Sequence, residues 1–321
     1  MTVDDIRAAA ARLDGQAVRT PLIESVRLNE RLGGRLLIKP ECLQRTGSFK
    51  FRGAYNTLSS MDPAARERGI LAYSSGNHAQ GVALAAKMFG VPATIIMPHD
   101  APEMKKRNTA EYGAEIVLYD RYDESREEIG ERLEREQGLT LVRPYDQESV
   151  IAGQGTVGLE IAEQCGERDA QPEFVACPAG GGGLITGLSL AMKERFPDCR
   201  IHPVEPEGYD DWKHSLATGQ RMAANAPNRS ICDAIVTPMP GELTFPIGQT
   251  TLSNGIAVSD AEVLAAMRTV FEELKLVAEP GGCVAVAAVL SGKLDLGGGT
   301  AVCVISGGNV DPAVFQQALA A

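Results

Sequence analysis

The chain has 321 residues, 44% hydrophobic and 23% charged, a soluble globular balance with length for one large or two medium domains. Its 42 acidic and 31 basic residues give a net charge of −11, which removes global attraction to nucleic-acid backbones and anionic lipid. No apolar run approaches the roughly 20 residues of a membrane span, and the acidic start MTVDDIRAAAARLDG lacks the basic and apolar regions of a signal peptide, so a cytoplasmic location with no membrane or nucleic-acid partner is expected.

Strand-like and helix-like segments alternate along the chain. Ile70 to Ser74 is a short apolar run, and His78 to Phe89 carries apolar residues at helical spacing before Gly90. Ala93 to Met97 predicts a strand, Glu103 to Tyr112 a helix, and Glu115 to Tyr119 a strand. Leu141 to Asp146, with Pro144, predicts a crossing between two sheets. The pattern recurs with Glu173 to Cys177 as strand, Leu184 to Arg195 as helix and Arg200 to Val204 as strand. Such alternation implies crossover connections and parallel sheets. The seven cysteines include no C-x-x-C pair and the four histidines no H-x-x-x-H pair, so buried free thiols are expected instead of disulfides or zinc.

Three motifs carry chemistry. Gly180 to Gly183 stands between a strand and a helix, where bare backbone N–H groups and a helix N-terminus suit a phosphate. Gly297 to Gly299 is an internal contrast, because a strand follows it and a plain turn is expected. The first run is neither G-x-G-x-x-G nor a Walker A loop, which points to a small phosphorylated cofactor. Ser74-Ser75-Gly76-Asn77-His78 opens a helix with more polar and small residues than capping needs, and suits a carboxylate. Lys50 lies between Phe49 and Phe51, and an apolar surround lowers an amine's pKa toward that of a nucleophile. A lysine nucleophile, a carboxylate nest and a phosphate cup together suggest pyridoxal phosphate.

These motifs, with Ile151-Ala152-Gly153-Gln154-Gly155-Thr156 and Ser306-Gly307-Gly308-Asn309, resemble the threonine dehydratase/serine racemase family of pyridoxal-phosphate enzymes over nearly the whole chain. The resemblance implies a tryptophan-synthase-β-like α/β fold. Two open, mainly parallel three-layer domains would hold the cofactor in the cleft between them, with 53–141 as the small domain and 1–52 with 142–321 as the large one. It implies that Lys50 carries the cofactor and moves the Cα proton, that Phe49 packs on the pyridine ring and that Asn77 bonds its phenolic oxygen. It places Gly180, Gly181, Gly182, Gly183 and Leu184 at the phosphate and Ser306 at the ring nitrogen. Ser74, Ser75, Gly76 and His78 would receive the substrate carboxylate, with Ser75 also the acid on the face opposite Lys50. Arg126 would reach a bound carboxylate, although a solvated helix-face charge among Glu124, Glu127 and Glu128 is the plainer reading. Glu205, the Tyr209 carbonyl and Asp211 would hold Mg²⁺ or Ca²⁺, the alternative being a solvated acidic turn.

The expected reaction is dehydration and deamination of a β-hydroxy amino acid of the L-serine/L-threonine type, with hydrolysis of the aminoacrylate giving a 2-keto acid and ammonia. A neutral Ser306 at the ring nitrogen suits β-elimination and suits long-lived carbanions poorly. Serine racemase and dehydratases of 3-hydroxyaspartate or phenylserine are the near alternatives, a β-replacement synthase of cysteine-synthase type the remoter one, and a ligand-sensing module the non-enzymatic one. The family is usually dimeric. Cys232-Asp233-Ala234 departs from the family's Ala-Asp-Gly, which bears on the substrate.

Overall fold

The computed structural model describes residues 1–74, 76–101, 103–120, 122–225 and 229–321. The nine strands named among them are β1 (Arg35–Pro40), β2 (Ile70–Tyr73), β3 (Ala93–Pro98), β4 (Glu115–Tyr119), β5 (Thr140–Leu141), β6 (Pro172–Pro178), β7 (Arg200–Pro206), β8 (Ile256–Val258) and β9 (Thr300–Ile305). They form two sheets, ordered β1-β9-β6-β7-β8 and β4-β3-β2-β5, with every neighbouring pair parallel. The interior strands are buried almost throughout: β3 at all six positions, β6 at all but Glu173 and β7 at all but Arg200. That is the pattern of strands covered by helices on both faces. The predicted strands at 70–74, 93–97, 115–119, 173–177 and 200–204 are all present, and Gly297 to Gly299 lies in turns before β9.

The smaller sheet is drawn from residues 70–141 and the larger from the sequence on either side. The Lys50–Ser60 and Glu148–Glu167 helices pack on each other. Their approach is close at Gly153, where a Cβ would lie 2.7 Å from the Arg52 carbonyl oxygen and from Gly53 Cα. Gln154 is thereby brought beside the lysine helix, and its Oε1 accepts the Gly53 N–H at 3.1 Å.

A buried charge cluster ties these helices to β1. Arg52, 1% exposed, donates to both oxygens of Glu41 at 2.7 and 2.8 Å and to Glu160 at 2.6 Å. Lys39 donates to Glu160 at 2.6 Å and to the Thr20 carbonyl at 2.6 Å. Two cations face two anions, so the low-dielectric interior holds no net charge there. Burial alone would raise Glu41, but the Arg52 guanidinium holds its carboxyl below the usual range.

Six of the seven cysteines are buried, Cys42 is partly so, and all are free. No described helix is long and apolar enough to cross a membrane. The longest apolar run, Val284 to Leu290, lies in the buried Pro280–Leu290 helix of the larger sheet's core.

Candidate active site

A cleft of about 480 Å³ opens where the C-terminal ends of β2, β6 and β9 converge. This is the edge at which parallel α/β sheets bind ligands. It is lined by Phe49, Lys50, Ser74, Gly76, Asn77, His78, Arg126, Gly180 to Gly183, Leu184 and Ser306. With Gln154 of the 151–156 segment, residues from all five motifs therefore meet in one cavity. Ser75 lies outside the described residues.

Lys50 opens the Lys50–Ser60 helix. The turn before it is stitched to the end of β9: Ser48 bridges Gly307, and the Phe49 N–H donates to the Ser306 carbonyl at 3.1 Å. Lys50 Nζ donates to the Pro144 carbonyl at 2.7 Å and sits 5.2 Å from the centre of the Phe49 ring. Burial lowers its pKa to about 8, against a smaller opposing pull from Glu279. Only one of the two flanking phenylalanines faces the cleft. Phe51 points away and packs on Tyr55 with ring centres 5.6 Å apart.

The glycine run passes from β6 to the Gly183–Arg195 helix. Gly182 has φ 99°, and a Cβ there would overlap Trp212. A Cβ on Gly181 would overlap the Tyr145 ring. The first intrahelical bond runs from the Thr186 N–H to the Gly182 carbonyl, so the preceding amides have no partner within the helix. The result is a cradle of bare N–H groups at a positive helix end.

At the opposite wall the Asn77–Phe89 helix begins. Its first N–H groups also precede any helical acceptor. His78 Nε2 lies 2.9 Å from the Val142 carbonyl, which makes it the protonated nitrogen. Burial, with Lys50 adding, lowers the ring to about 3, so the imidazole is neutral and its Nδ1 is an acceptor without a partner. For a carboxylate, His78 therefore offers its backbone N–H and not its ring.

Arg126 begins the Arg126–Gln137 helix and lines the cleft. Its guanidinium lies 5.0 Å over the Tyr73 ring at the cleft wall, and its Nε meets the exposed Glu127 at 2.8 Å. A second cation was not anticipated from sequence: Lys105 reaches in from the Glu103–Glu111 helix and donates to Asp233 at 2.6 Å. Gln154 and Thr237 also line the cleft, and Gln154 Nε2 and Thr237 Oγ1 are buried without a partner.

Glu205, Tyr209 and Asp211 do not line the cleft. Glu205 is fully buried, and its two oxygens accept the N–H groups of Trp212 and Lys213 at 2.9 and 3.0 Å. Both carboxylate oxygens of Asp211 are buried with no partner. Burial raises both carboxyls, Asp211 to about 7. Among the described residues, no three His, Cys, Asp or Glu side chains converge as metal ligands.

A family model described as pyridoxal-phosphate dependent enzyme matches residues 13–307. The chain belongs to that family. It is 46% identical to L-threo-3-hydroxyaspartate ammonia-lyase of Pseudomonas sp over 307 residues, 96% of this chain and 95% of the relative. It is 40% identical to serine racemase of Schizosaccharomyces pombe, covering 97% of this chain and 94% of the relative. The crystal structure of a T.th. threonine deaminase superposes with a TM-score of 0.90 at 43% identity, covering 97% of this chain and 99% of that one. The chain is thus a pyridoxal-phosphate-dependent carbon–oxygen lyase with the fold of those enzymes, and pyridoxal phosphate is its cofactor. The cleft fits that group by its own geometry: a buried amine, a backbone cradle that side chains would fill, and buried polar atoms without partners.

Proposed function

We propose that the enzyme deaminates a β-hydroxy amino acid bearing a second carboxylate, 3-hydroxyaspartate, losing one water in the elimination and regaining one on hydrolysis, and releases oxaloacetate and ammonia. The observation that carries this reading is Arg126, held over Tyr73 at the wall of the cleft that contains Lys50. A guanidinium at that wall matches the distal carboxylate, whereas serine and threonine carry no anion there. The name of the Pseudomonas relative supports the same substrate.

Bound pyridoxal phosphate supplies an electron-withdrawing ring that acidifies the substrate Cα–H. The rest of the reading assigns tasks to this chain. Gly180 to Leu184 bind the phosphate through N–H groups, and Phe49 and Asn77 fix the ring. The N–H groups at the start of the Asn77–Phe89 helix, with Ser74, hold the α-carboxylate. Lys50 carries the cofactor between turnovers. Its neutral Nζ would take the Cα proton and hand it to the departing β-hydroxyl, which leaves as water. The remaining enamine takes up water and yields keto acid and ammonia. Ser306 is a neutral hydroxyl for the ring nitrogen, which favours prompt elimination over a long-lived carbanion. Ser75 is the acid proposed for the opposite face.

A keto-acid release assay across serine, threonine, phenylserine and 3-hydroxyaspartate, in each stereoisomer, tests the reading. L-threo-3-hydroxyaspartate should exceed serine and threonine at least about tenfold in kcat/KM. Equal or better turnover of threonine would overturn the dicarboxylate reading, and no keto acid from any of them would overturn the lyase reading.

The same reading includes a divalent cation, Mg²⁺ or Ca²⁺, on Glu205, Asp211 and the Tyr209 carbonyl. It is supported by the two unpartnered, buried oxygens of Asp211 and by an all-oxygen donor set suited to hard ions. It also includes 53–141 as a separate small domain, a cytoplasmic location and a homodimer, the last testable by sedimentation.

A further inference from the structure

The Ser-Gly-Gly-Asn motif ends in Asn309, whose side chain does not line the cleft. Asn309 Nδ2 donates to the Thr46 carbonyl at 2.7 Å and to Asn77 Oδ1 at 2.7 Å. Asn77 Nδ2 donates in turn to Glu279 Oε1 at 2.5 Å. Amide oxygen and nitrogen look alike in shape, but this chain of contacts has one consistent polarity. A main-chain carbonyl only accepts, so nitrogen is the Asn309 atom that faces Thr46. The other proton on that nitrogen points at Asn77, whose oxygen must receive it. The nitrogen of Asn77 is then turned to Glu279, a carboxylate that is 1% exposed. One N–H of Asn77 is left uncommitted, and Asn77 lines the cleft.

The surroundings hold both orienting groups in place. The Glu279 N–H donates to the Gly307 carbonyl at 3.1 Å, and the Gly308 N–H donates to the Gly47 carbonyl at 2.9 Å. The three side chains come from positions 77, 279 and 309, so two distant segments set one amide in the helix start.

We propose that Glu279 and Asn309 are positioning residues that clamp the Asn77 amide from both ends, so that its free N–H is always presented to the phenolic oxygen of the cofactor. The proposal rests on the reading of Asn77 as the partner of that oxygen. A clamped donor favours the ionised phenolic oxygen over the protonated one, which a freely rotating amide cannot do consistently.

The test uses holoenzyme variants Glu279→Met and Asn309→Ala, with Asn77→Ala as control; Met fills the space of Glu279 without an oxygen to accept the Asn77 N–H. Each is read by the pH midpoint of the bound cofactor's visible absorbance, by kcat and KM, and by melting temperature. Both variants should shift the midpoint by about one pH unit, as Asn77→Ala does, and lower kcat about tenfold with KM within about twofold. Midpoint and kcat at wild-type values in either variant would overturn the clamp while leaving Asn77 in its role. An unchanged midpoint in Asn77→Ala would show that the reading of Asn77 itself fails, and the clamp with it. Where a variant does not fold, the side-chain amide protons of Asn77 and Asn309 in ¹⁵N-asparagine-labelled wild-type holoenzyme decide. Slow exchange with solvent is expected, and exchange as fast as at exposed asparagines overturns the proposal.

Discussion

Trp212 is hinged on Gly180: its indole Nε1–H donates to the Gly180 carbonyl at 2.6 Å. Its backbone N–H donates to Glu205 Oε1 at 2.9 Å, and Asp211 immediately precedes it. One residue thus joins the acidic turn to the phosphate cradle, although Glu205 and Asp211 lie outside the cleft.

A cation on that turn should therefore be felt at the cradle. Addition of Mg²⁺ or Ca²⁺ at a hundred times its dissociation constant should stabilise the protein by about 2.7 kcal/mol, roughly 5 °C in melting temperature. Chelation should weaken cofactor retention as well. Asp211→Asn should abolish the response to metal without emptying the cleft. Calorimetry and cofactor absorbance with and without chelator measure both effects; indifference of both to metal would leave the turn without a cation.

The low basicity of Lys50 predicts the direction of a pH effect. Only the neutral amine attacks an aldehyde. Capture of pyridoxal phosphate by the apoenzyme should rise nearly tenfold per pH unit below about 8 and level off above it. Stability of the apoenzyme follows the same group. The folded pKa, about 8, lies below the ordinary lysine value of 10.5. Between those values the unfolded chain binds more protons, so stability gains with rising pH across that window. Stopped-flow absorbance and melting curves from pH 6 to 11 measure both; a flat capture rate below pH 8 contradicts the assignment.

Loss of the guanidinium should separate substrates. Arg126→Ala should raise KM for 3-hydroxyaspartate roughly ten- to a hundredfold, the worth of one charge-assisted contact. Turnover of serine, which has no distal carboxylate, should change less than about threefold. Steady-state assays on both substrates decide, and equal losses would mean that Arg126 only supports the wall through Tyr73.

The buried charge cluster predicts a large structural cost at a residue outside the cleft lining. Arg52→Ala would leave Glu41, which is fully buried, without its bidentate partner. A loss of about 3 to 5 kcal/mol is expected. Arg52→Lys should recover only part of it, because an ammonium cannot satisfy Glu41 and Glu160 in the same fork. Urea denaturation measures both, and a loss under about 1 kcal/mol would show that the cluster relaxes or takes in water.

Much of the architecture was legible because parallel strands buried on both faces read as unbroken apolar runs. β2 and β3 stood out for that reason, and β6 and β7 by the recurring alternation of strand-like and helix-like segments. The cleft was legible where chemistry clusters in sequence, as at 47–54, 74–81 and 180–184. Apart from Arg126, which the family resemblance offered, residues that act singly were not. Lys105 sits among Lys106 and Arg107 in an ordinary charged helix, and only folding sets it against Asp233. Glu279 precedes Pro280 at a helix start, where an acidic residue needs no further explanation. The tautomer of His78 was equally invisible, since it depends on the Val142 carbonyl 64 positions away.

The stitch between Ser48 and Gly307 also bears on assembly of the active site during synthesis. Lys50 emerges early, yet the backbone that holds its turn is supplied by residues 306 and 307, more than 250 positions later. Until that last strand docks beside β1 and β6, the lysine's loop lacks its hydrogen-bonding neighbour. Such long-range closure is slow compared with local helix formation. Cofactor capture is therefore among the last events of maturation. Newly made chains should accumulate as a lysine-bearing precursor that ignores pyridoxal phosphate until β9 is in place.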